Sequence, residues 1–175
     1  TWTATDISGN SASDTQKIII KDTISPVVNG PENIILEVTD ISGIQIAIGQ
    51  AYASDQVDKN PKLTNDAPEL FQLGDTIVTW TATDNAGNSA LFFQTVSIVD
   101  TIAPELTPPE NIIQEAEDIL SNFVIIGNPE TSDIVNVSSI ENNAPEVFPL
   151  GETIVTWTAT DNAGNSVSET QLITV

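Results

Sequence analysis

The sequence predicts an all-β fold in which small β-sandwich domains follow one another in tandem, and three observations carry that prediction. The ten-residue run Thr-Trp-Thr-Ala-Thr-Asp-x-x-Gly-Asn begins at Thr1, at Thr79 and again at Thr156. A second signature, Asp22-Thr23-Ile24-Ser25-Pro26, returns 78 positions later as Asp100-Thr101-Ile102-Ala103-Pro104. Short runs of alternating apolar and polar residues fill each repeat, and no stretch carries the i, i+3, i+4, i+7 spacing of an amphipathic helix over three turns. A period of 78 residues exceeds the roughly 20–50 residues of a stacked solenoid unit and suits a string of small independent domains.

The register places one whole unit at residues 23–100 and another at 101–175. Residues 1–22 match only the closing hairpin of a unit, so the chain reads as a segment of a longer polypeptide entered in mid-domain. A lone two-stranded hairpin is marginally stable in water. Residues 1–22 are therefore expected to need a further surface, or to complete a neighbouring chain's domain by strand donation.

Within the unit at 23–100, strands are expected at residues 33–39, 44–53, 62–65, 70–72, 76–83 and 90–99, and the next unit follows the same plan. Side chains alternate across a strand, so Val78, Trp80 and Ala82 should face the core, as should Val155, Trp157 and Ala159. On the following strand Val96 and Ile98 correspond to Ile173 and Val175, and to Ile18 and Ile20. Phe92 stands where the other copies have Asp14 and Glu169, which predicts a surface position. The run Asp84-Asn85-Ala86-Gly87-Asn88, with its counterparts from Asp6 and Asp161, reads as a tight turn: Asp caps it and Gly supplies a left-handed backbone angle. Leu73-Gly74 and Leu150-Gly151 mark further turns between the strands.

Composition narrows the chemistry. Twenty-five acidic residues stand against four lysines and no arginine, a formal net charge of −21, which disfavours nucleic acid and anionic membranes as partners. No apolar run is long enough to insert directly into a membrane. Histidine and cysteine are both absent, which removes Ser-His and Cys-His nucleophile pairs, ordinary zinc sites and disulfides. Only hard oxygen ligands remain. The unit at 101–175 has no basic side chain at all, so its carboxylates have no internal cation to pair with.

The run Asn65-Asp66-Ala67-Pro68, then Phe71-x-Leu73-Gly74-Asp75-Thr76-x-Val78-Thr79-Trp80-Thr81-Ala82-Thr83-Asp84-x-Ala86-Gly87-Asn88, closing on Asp100-Thr101-x-x-Pro104, resembles the hyalin repeat (HYR) family. The resemblance covers both full units and the partial one. It implies an immunoglobulin-like sandwich of extracellular and cell-surface proteins that acts in adhesion or protein–protein contact, with no catalytic residues to carry over. Many animal members carry a cysteine pair, and this chain has none.

In such a sandwich the chain enters at one pole, and the last hairpin turns at that same pole. The turn should then lie beside the connector that precedes its own unit. For the unit at 23–100 this gathers Asp22, Asp55, Asp58, Asp84, Asn85 and Asn88; for the next it gathers Asp100, Asp133, Asp161, Asn162 and Asn165, with Asn136 standing where Asp58 does. Calcium takes six to eight oxygen ligands of this kind at about 2.3–2.6 Å, so these residues are the candidate metal ligands and calcium the candidate ion. The alternative is solvated turn residues, since loop Asp and Asn are common for turn reasons alone. Asp22 and Asp100 look the most telling, because a domain exit has no evident need of an acid.

The expected function is an extracellular structural or adhesive repeat of a larger cell-surface protein, stiffened at its junctions by calcium and contacting other surface proteins or copies of itself. Two alternatives stand beside it. One is a subunit of a self-assembling filament or surface layer, with the Leu91-Phe92-Phe93 group as a contact between chains. The other is an accessory binding module of a secreted enzyme; the chain itself is not expected to be an enzyme. Asn136-Val137-Ser138 is a candidate glycosylation sequon. A Lys–Asn crosslink cannot be general, because the last unit has no lysine.

Overall fold

The computed structural model describes residues 1–119 and 122–175, and the described residues contain strands and no helix. In chain order the strands are β1 (Trp2–Thr5), β2 (Ser11–Asp14), β3 (Val27–Asn29), β4 (Ile34–Glu37), β5 (Tyr52–Ser54), β6 (Lys62–Asn65), β7 (Gly74–Thr83), β8 (Ser89–Val99), β9 (Glu105–Thr107), β10 (Ile112–Ile113), β11 (Glu130–Ser132), β12 (Val137–Asn142), β13 (Glu152–Asp161) and β14 (Ser166–Thr174). They gather into two compact units, one of residues 1–30, 50–66 and 79–93, the other of residues 31–49, 67–78 and 94–175. Strands β7 and β8 run through both.

In the first unit β1 and β2 form an antiparallel hairpin, β3 pairs antiparallel with β5, and β6 pairs antiparallel with the distal half of β7. In the second, β4 lies parallel to β8 from Ile34↔Val96 to Glu37↔Val99. The second unit also holds the complete last repeat. Its four-stranded sheet, in the order β10-β14-β13-β12, faces the two-stranded sheet β11-β9. Phe148, Val155, Trp157 and Ile173 fill the space between, with Leu106, Ile112, Val124 and Ile126 packed against them. The architecture is the all-β sandwich of about 78 residues that the repeat predicts.

The core-facing alternation holds: Val78, Trp80, Ala82, Val155, Trp157 and Ala159 are all buried. Two tryptophans are 5% and 4% exposed, whereas Trp2, at the same place in the hairpin of residues 1–22, is 70% exposed, and Ile18 and Ile20 are exposed with it. Burying one such ring removes on the order of 200 Å² from water, roughly 4–6 kcal/mol before entropy. The β1–β2 hairpin keeps its strand pairing but makes no such gain.

A buried polar side chain organises each core. Gln171 accepts a hydrogen bond from the Trp157 indole Nε1 at 3.2 Å, and its own Nε2 donates to the carbonyls of Glu110 (2.8 Å) and Ile126 (3.1 Å). Gln94 donates in the same way to the carbonyls of Glu32 (2.8 Å) and Ile48 (3.0 Å). Two loop carbonyls that a sheet ladder leaves free are thus satisfied inside the protein, where an unpaired one would cost about 1–3 kcal/mol.

That bond corrects the expected strand at 44–53. Only Ile44 makes a bridge, to Phe71, and only Tyr52–Ser54 is a strand. Gly49 has a φ of 85°, which breaks an extended run, and the Ile48 carbonyl points to Gln94 instead of a neighbouring strand. The strand expected at 70–72 is likewise reduced to the single bridge at Phe71, and that expected at 33–39 to β4. Strand β3, immediately after Pro26, was not expected.

Phe92 is also corrected. It is half-buried rather than a surface residue, while its neighbours Leu91 and Phe93 are exposed on the opposite face of β8. The ring lies over Gly30, where an added Cβ would overlap it. At the corresponding positions the last repeat has Pro108 and Glu169. The missing side chain at Gly30 therefore makes the room that Phe92 fills. Gly30→Ala should destabilise the protein by about 1–3 kcal/mol through this overlap. In a Phe92→Glu background the same change should cost under about 1 kcal/mol, a coupling that urea unfolding of the four variants would measure; equal costs in both backgrounds would contradict the packing.

Candidate metal centres

The hairpin turn is built by one carboxylate and one amide. In the turn at 84–88 the N–H of Asn88 donates to Asp84 Oδ1 at 2.8 Å and the Asn88 side-chain Nδ2 donates to Asp84 Oδ2 at 2.7 Å, while Gly87 adopts a φ of 91°. The turn at 161–165 repeats this with 2.8 Å for both bonds, and so does the turn at 6–10. Sequence fixes this much locally: an Asp four residues before an Asn, with Gly between at the left-handed position.

Each turn then reaches its own connector. Asn165 Nδ2 also donates to the carbonyl of Asp100 at 3.1 Å, and Asn88 Nδ2 to that of Asp22 at 3.4 Å. One carboxylate oxygen each from Asp100, Asp133 and Asp161 lies within 4.8 Å of the others, and the same holds for Asp22, Asp55 and Asp84. Oxygens that share one calcium at about 2.3–2.6 Å stand at most about 5 Å apart. Each triad is therefore of a size that one such ion spans.

Local turn chemistry occupies part of this oxygen supply. Asp55 Oδ1 accepts from the N–H groups of Val57 and Asp58, both at 2.8 Å, and Asp133 Oδ1 accepts from Val135 (2.8 Å) and Asn136 (2.9 Å). Asp22 Oδ1 accepts from the Ile24 N–H at 3.1 Å, so the connector acid does have a turn role, contrary to expectation. Asp58 is not in its triad. Its Oδ1 takes the N–H of Asn60 and its Oδ2 that of Asn85, both at 3.0 Å, which makes it a brace between loop and turn. Asn85 and Asn162 are exposed at the turn tips, and Asn136 is exposed where Asp58 stands in the other repeat.

Two residues outside the expected ligand set border the second triad. Glu37 accepts hydrogen bonds from the N–H (2.8 Å) and Oγ1 (2.6 Å) of Thr101, next to Asp100. Ser138 donates through Oγ to the carbonyls of Thr160 (2.9 Å) and Asp161 (2.6 Å), spanning the bulge where β12 shifts register between Val137 and Ser139. Glu37 gave no sequence signal because its partner lies 64 residues away.

The HYR domain family matches residues 21–98 and again residues 99–175. The chain belongs to the HYR domain family. Hyalin of Lytechinus variegatus is 33% identical over 195 residues, covering 100% of this chain and 36% of that protein. Hyalin of Strongylocentrotus purpuratus is 34% identical over 183 residues, covering 97% and 15%. The sushi, von Willebrand factor type A, EGF and pentraxin domain-containing protein 1 of Mus musculus is 26% identical over 169 residues, covering 91% and 5%. The chain thus spans 36% or less of the length of these curated relatives. Among solved structures, Drosophila N-cadherin EC1-4 is 17% identical with a TM-score of 0.42, covering 86% of this chain and 49% of that one. The HYR repeats place the protein outside the cell or on its surface.

Within the HYR repeats the acids differ in their electrostatic state. Backbone N–H bonds from Asp58 and Val57 hold the Asp55 carboxyl below its ordinary value. At Asp161 burial pushes upward, but the bonds from Asn165 outweigh it and the net shift is downward. Asp100 goes the other way: burial raises it, and the charges of Asp133, Asp161 and Glu37 add to the rise. Its Oδ2 is buried and has no hydrogen-bond partner. A carboxyl raised in the folded state binds more protons there than in the unfolded chain, so stability falls as pH rises from its ordinary value of 3.8 through the raised one. Asp100→Asn keeps the shape and removes the charge. Without calcium it should melt a few degrees above the native protein at pH 7, with the gap closing toward pH 4, as scanning calorimetry at the two pH values would show; a lower melting temperature at pH 7 would contradict the assignment.

Proposed function

We propose that this chain is part of an extracellular structural and adhesive protein, with residues 23–100 and 101–175 as repeated modules and calcium at the two acid triads stiffening the connectors. The buried, unpartnered Oδ2 of Asp100 carries this reading. A solvated turn acid needs no such burial, and leaving one charged oxygen dry beside two other carboxylates is unfavourable unless a cation sits among them. The donor set agrees, because three carboxylates suit a hard divalent ion and the chain has no histidine or cysteine to supply a nitrogen or sulfur ligand. Membership of the HYR family and similarity to hyalin and to the sushi-domain relative support contact with other surface proteins as the working role. Among the described residues no helix is long and apolar enough to cross a membrane.

Calorimetric titration of calcium into the whole chain is expected to show two binding events, with Asp100→Asn removing one. Calcium at a hundredfold excess over the dissociation constant should add about 2.7 kcal/mol of stability per site. Absence of both heat and thermal shift in the native protein would reject calcium at these positions.

The exposed Asn136 is the proposed acceptor of an extracellular glycan, its side chain free to project while Ser138 is held by the backbone. Secretory expression should add a glycan mass that Asn136→Gln removes; an unmodified mass from such a host would refute it.

A further inference from the structure

The two repeats carry one groove in two chemical versions. The first, of about 230 Å³, runs beside the connector and is lined by Ile24, Val27, Asp55 and Gln56 among others. Every lining position recurs 78 residues later in a groove of about 360 Å³, where Ile102, Glu105, Asp133 and Ile134 take those four places. Recurrence at matched positions means that the fold makes the groove. The lining is what has changed.

The change is directional. Ser25 is replaced by Ala103 and Gln56 by Ile134, so two polar side chains give way to apolar ones, while Val27 is replaced by Glu105, which adds a carboxylate. Glu37 and Asp100 add two more acids to the lining, and Val38 adds an apolar side chain. A second depression, of about 230 Å³, shares Glu105 and continues along β9 and β11 to Glu130. No lysine or arginine occurs anywhere in residues 63–175 to neutralise these groups from within.

We propose that the groove of the second full repeat receives a lysine or arginine side chain from an extended, basic segment of a partner protein. The aliphatic stem lies along Ile102, Ala103 and Ile134, and the cationic head reaches Glu37 and Glu105, a division of labour that long basic side chains suit. In an extended segment every second residue faces the same side, about 6.5–7 Å on, which brings the next basic side chain toward Glu130. A net charge of −21 steers such a segment inward and repels a second copy of this chain. Asp100 and Asp133 of this groove also belong to the proposed calcium triad, whereas Glu37 and Glu105 do not, so the test is made in chelator, where peptide binding is read apart from calcium binding.

The probe is a fluorescent acetyl-Gly-Arg-Gly-Arg-Gly-amide peptide, titrated into the whole chain at moderate salt. Glu105→Gln keeps the acceptor for Ser132 Oγ and loses only the charge. It is expected to weaken binding about fivefold, the effect of roughly 1 kcal/mol. Glu141→Gln makes the same charge change on β12 outside the groove and should alter binding by less than about twofold. Val27→Glu, which installs the acid in the other groove, should raise the number of peptides bound. Equal losses for Glu105→Gln and Glu141→Gln, or no binding by the native chain, would overturn the proposal. So would a concentration-dependent rise in mass that Glu105→Gln abolishes, because the groove would then serve a second copy of the chain.

Discussion

The bond between a turn asparagine and the carbonyl of the preceding connector is the constraint on which the rest depends. In the turn at 6–10 the Asp–Asn clamp closes with distances within 0.1 Å of those in the other two turns, so the clamp is a local property of five residues. What the fold adds is the second hydrogen of the amide, which Asn165 gives to Asp100 and Asn88 to Asp22 across 65 and 66 residues. That bond carries the turn carboxylate to the connector carboxylate. Triad and groove both follow, because the loop carrying Asp133 or Asp55 is already held against the connector strand by the pairing of β9 with β11 and of β3 with β5.

Turn bonding engages one oxygen of each loop aspartate, whereas Asp84 and Asp161 give both oxygens to the turn asparagine. Asp133 and Asp55 each commit Oδ1 to two backbone N–H groups, and the two bonds orient the carboxylate without consuming Oδ2. Charge-assisted bonds of this kind lower a carboxyl's proton affinity, which is the direction seen at Asp55. Asp100 is the member whose environment opposes ionisation, through burial and three neighbouring acids. The second triad thus joins Asp161, held below its ordinary value by the bonds from Asn165, to Asp100, held above it.

The sequence made the sandwich, the core stripes and the meeting of Asp161 with Asp100 legible, since strand alternation and the return of a closing hairpin to its entry pole are matters of period and topology. Three features were not legible, each for a physical reason. Gln16, Gln94 and Gln171 occupy one repeated position, but a polar residue in an alternating strand looks solvent-facing until the loop carbonyls it satisfies are known. Phe92 was read from its acidic counterparts as a surface residue, and the reading failed because the space it fills is made 62 residues away by Gly30. Asp22 lacked an apparent local purpose only because its acceptor role toward Ile24 depends on backbone direction after the connector.

Divergence between the repeats separates what the fold requires from what it leaves free. The Asp–Asn clamp, the buried Gln and the core Trp are kept in both full repeats, and all three hold backbone or core in place. Asp58 and Asn136 differ, and so does the way their loops are braced: Asp58 bonds the N–H of Asn85 at the turn, whereas on the other repeat Ser138 bonds the carbonyls at the end of β13. A brace made by hydroxyl to carbonyl leaves position 136 without a structural duty, which is why an exposed asparagine can stand there. The groove lining is free in the same sense, because Val27 and Glu105 occupy matched strand positions whose backbone pairing, to Ser54 and Ser132, does not depend on the side chain. Positions released from structural work on a common scaffold are where tandem modules can acquire different partners while keeping the same connectors.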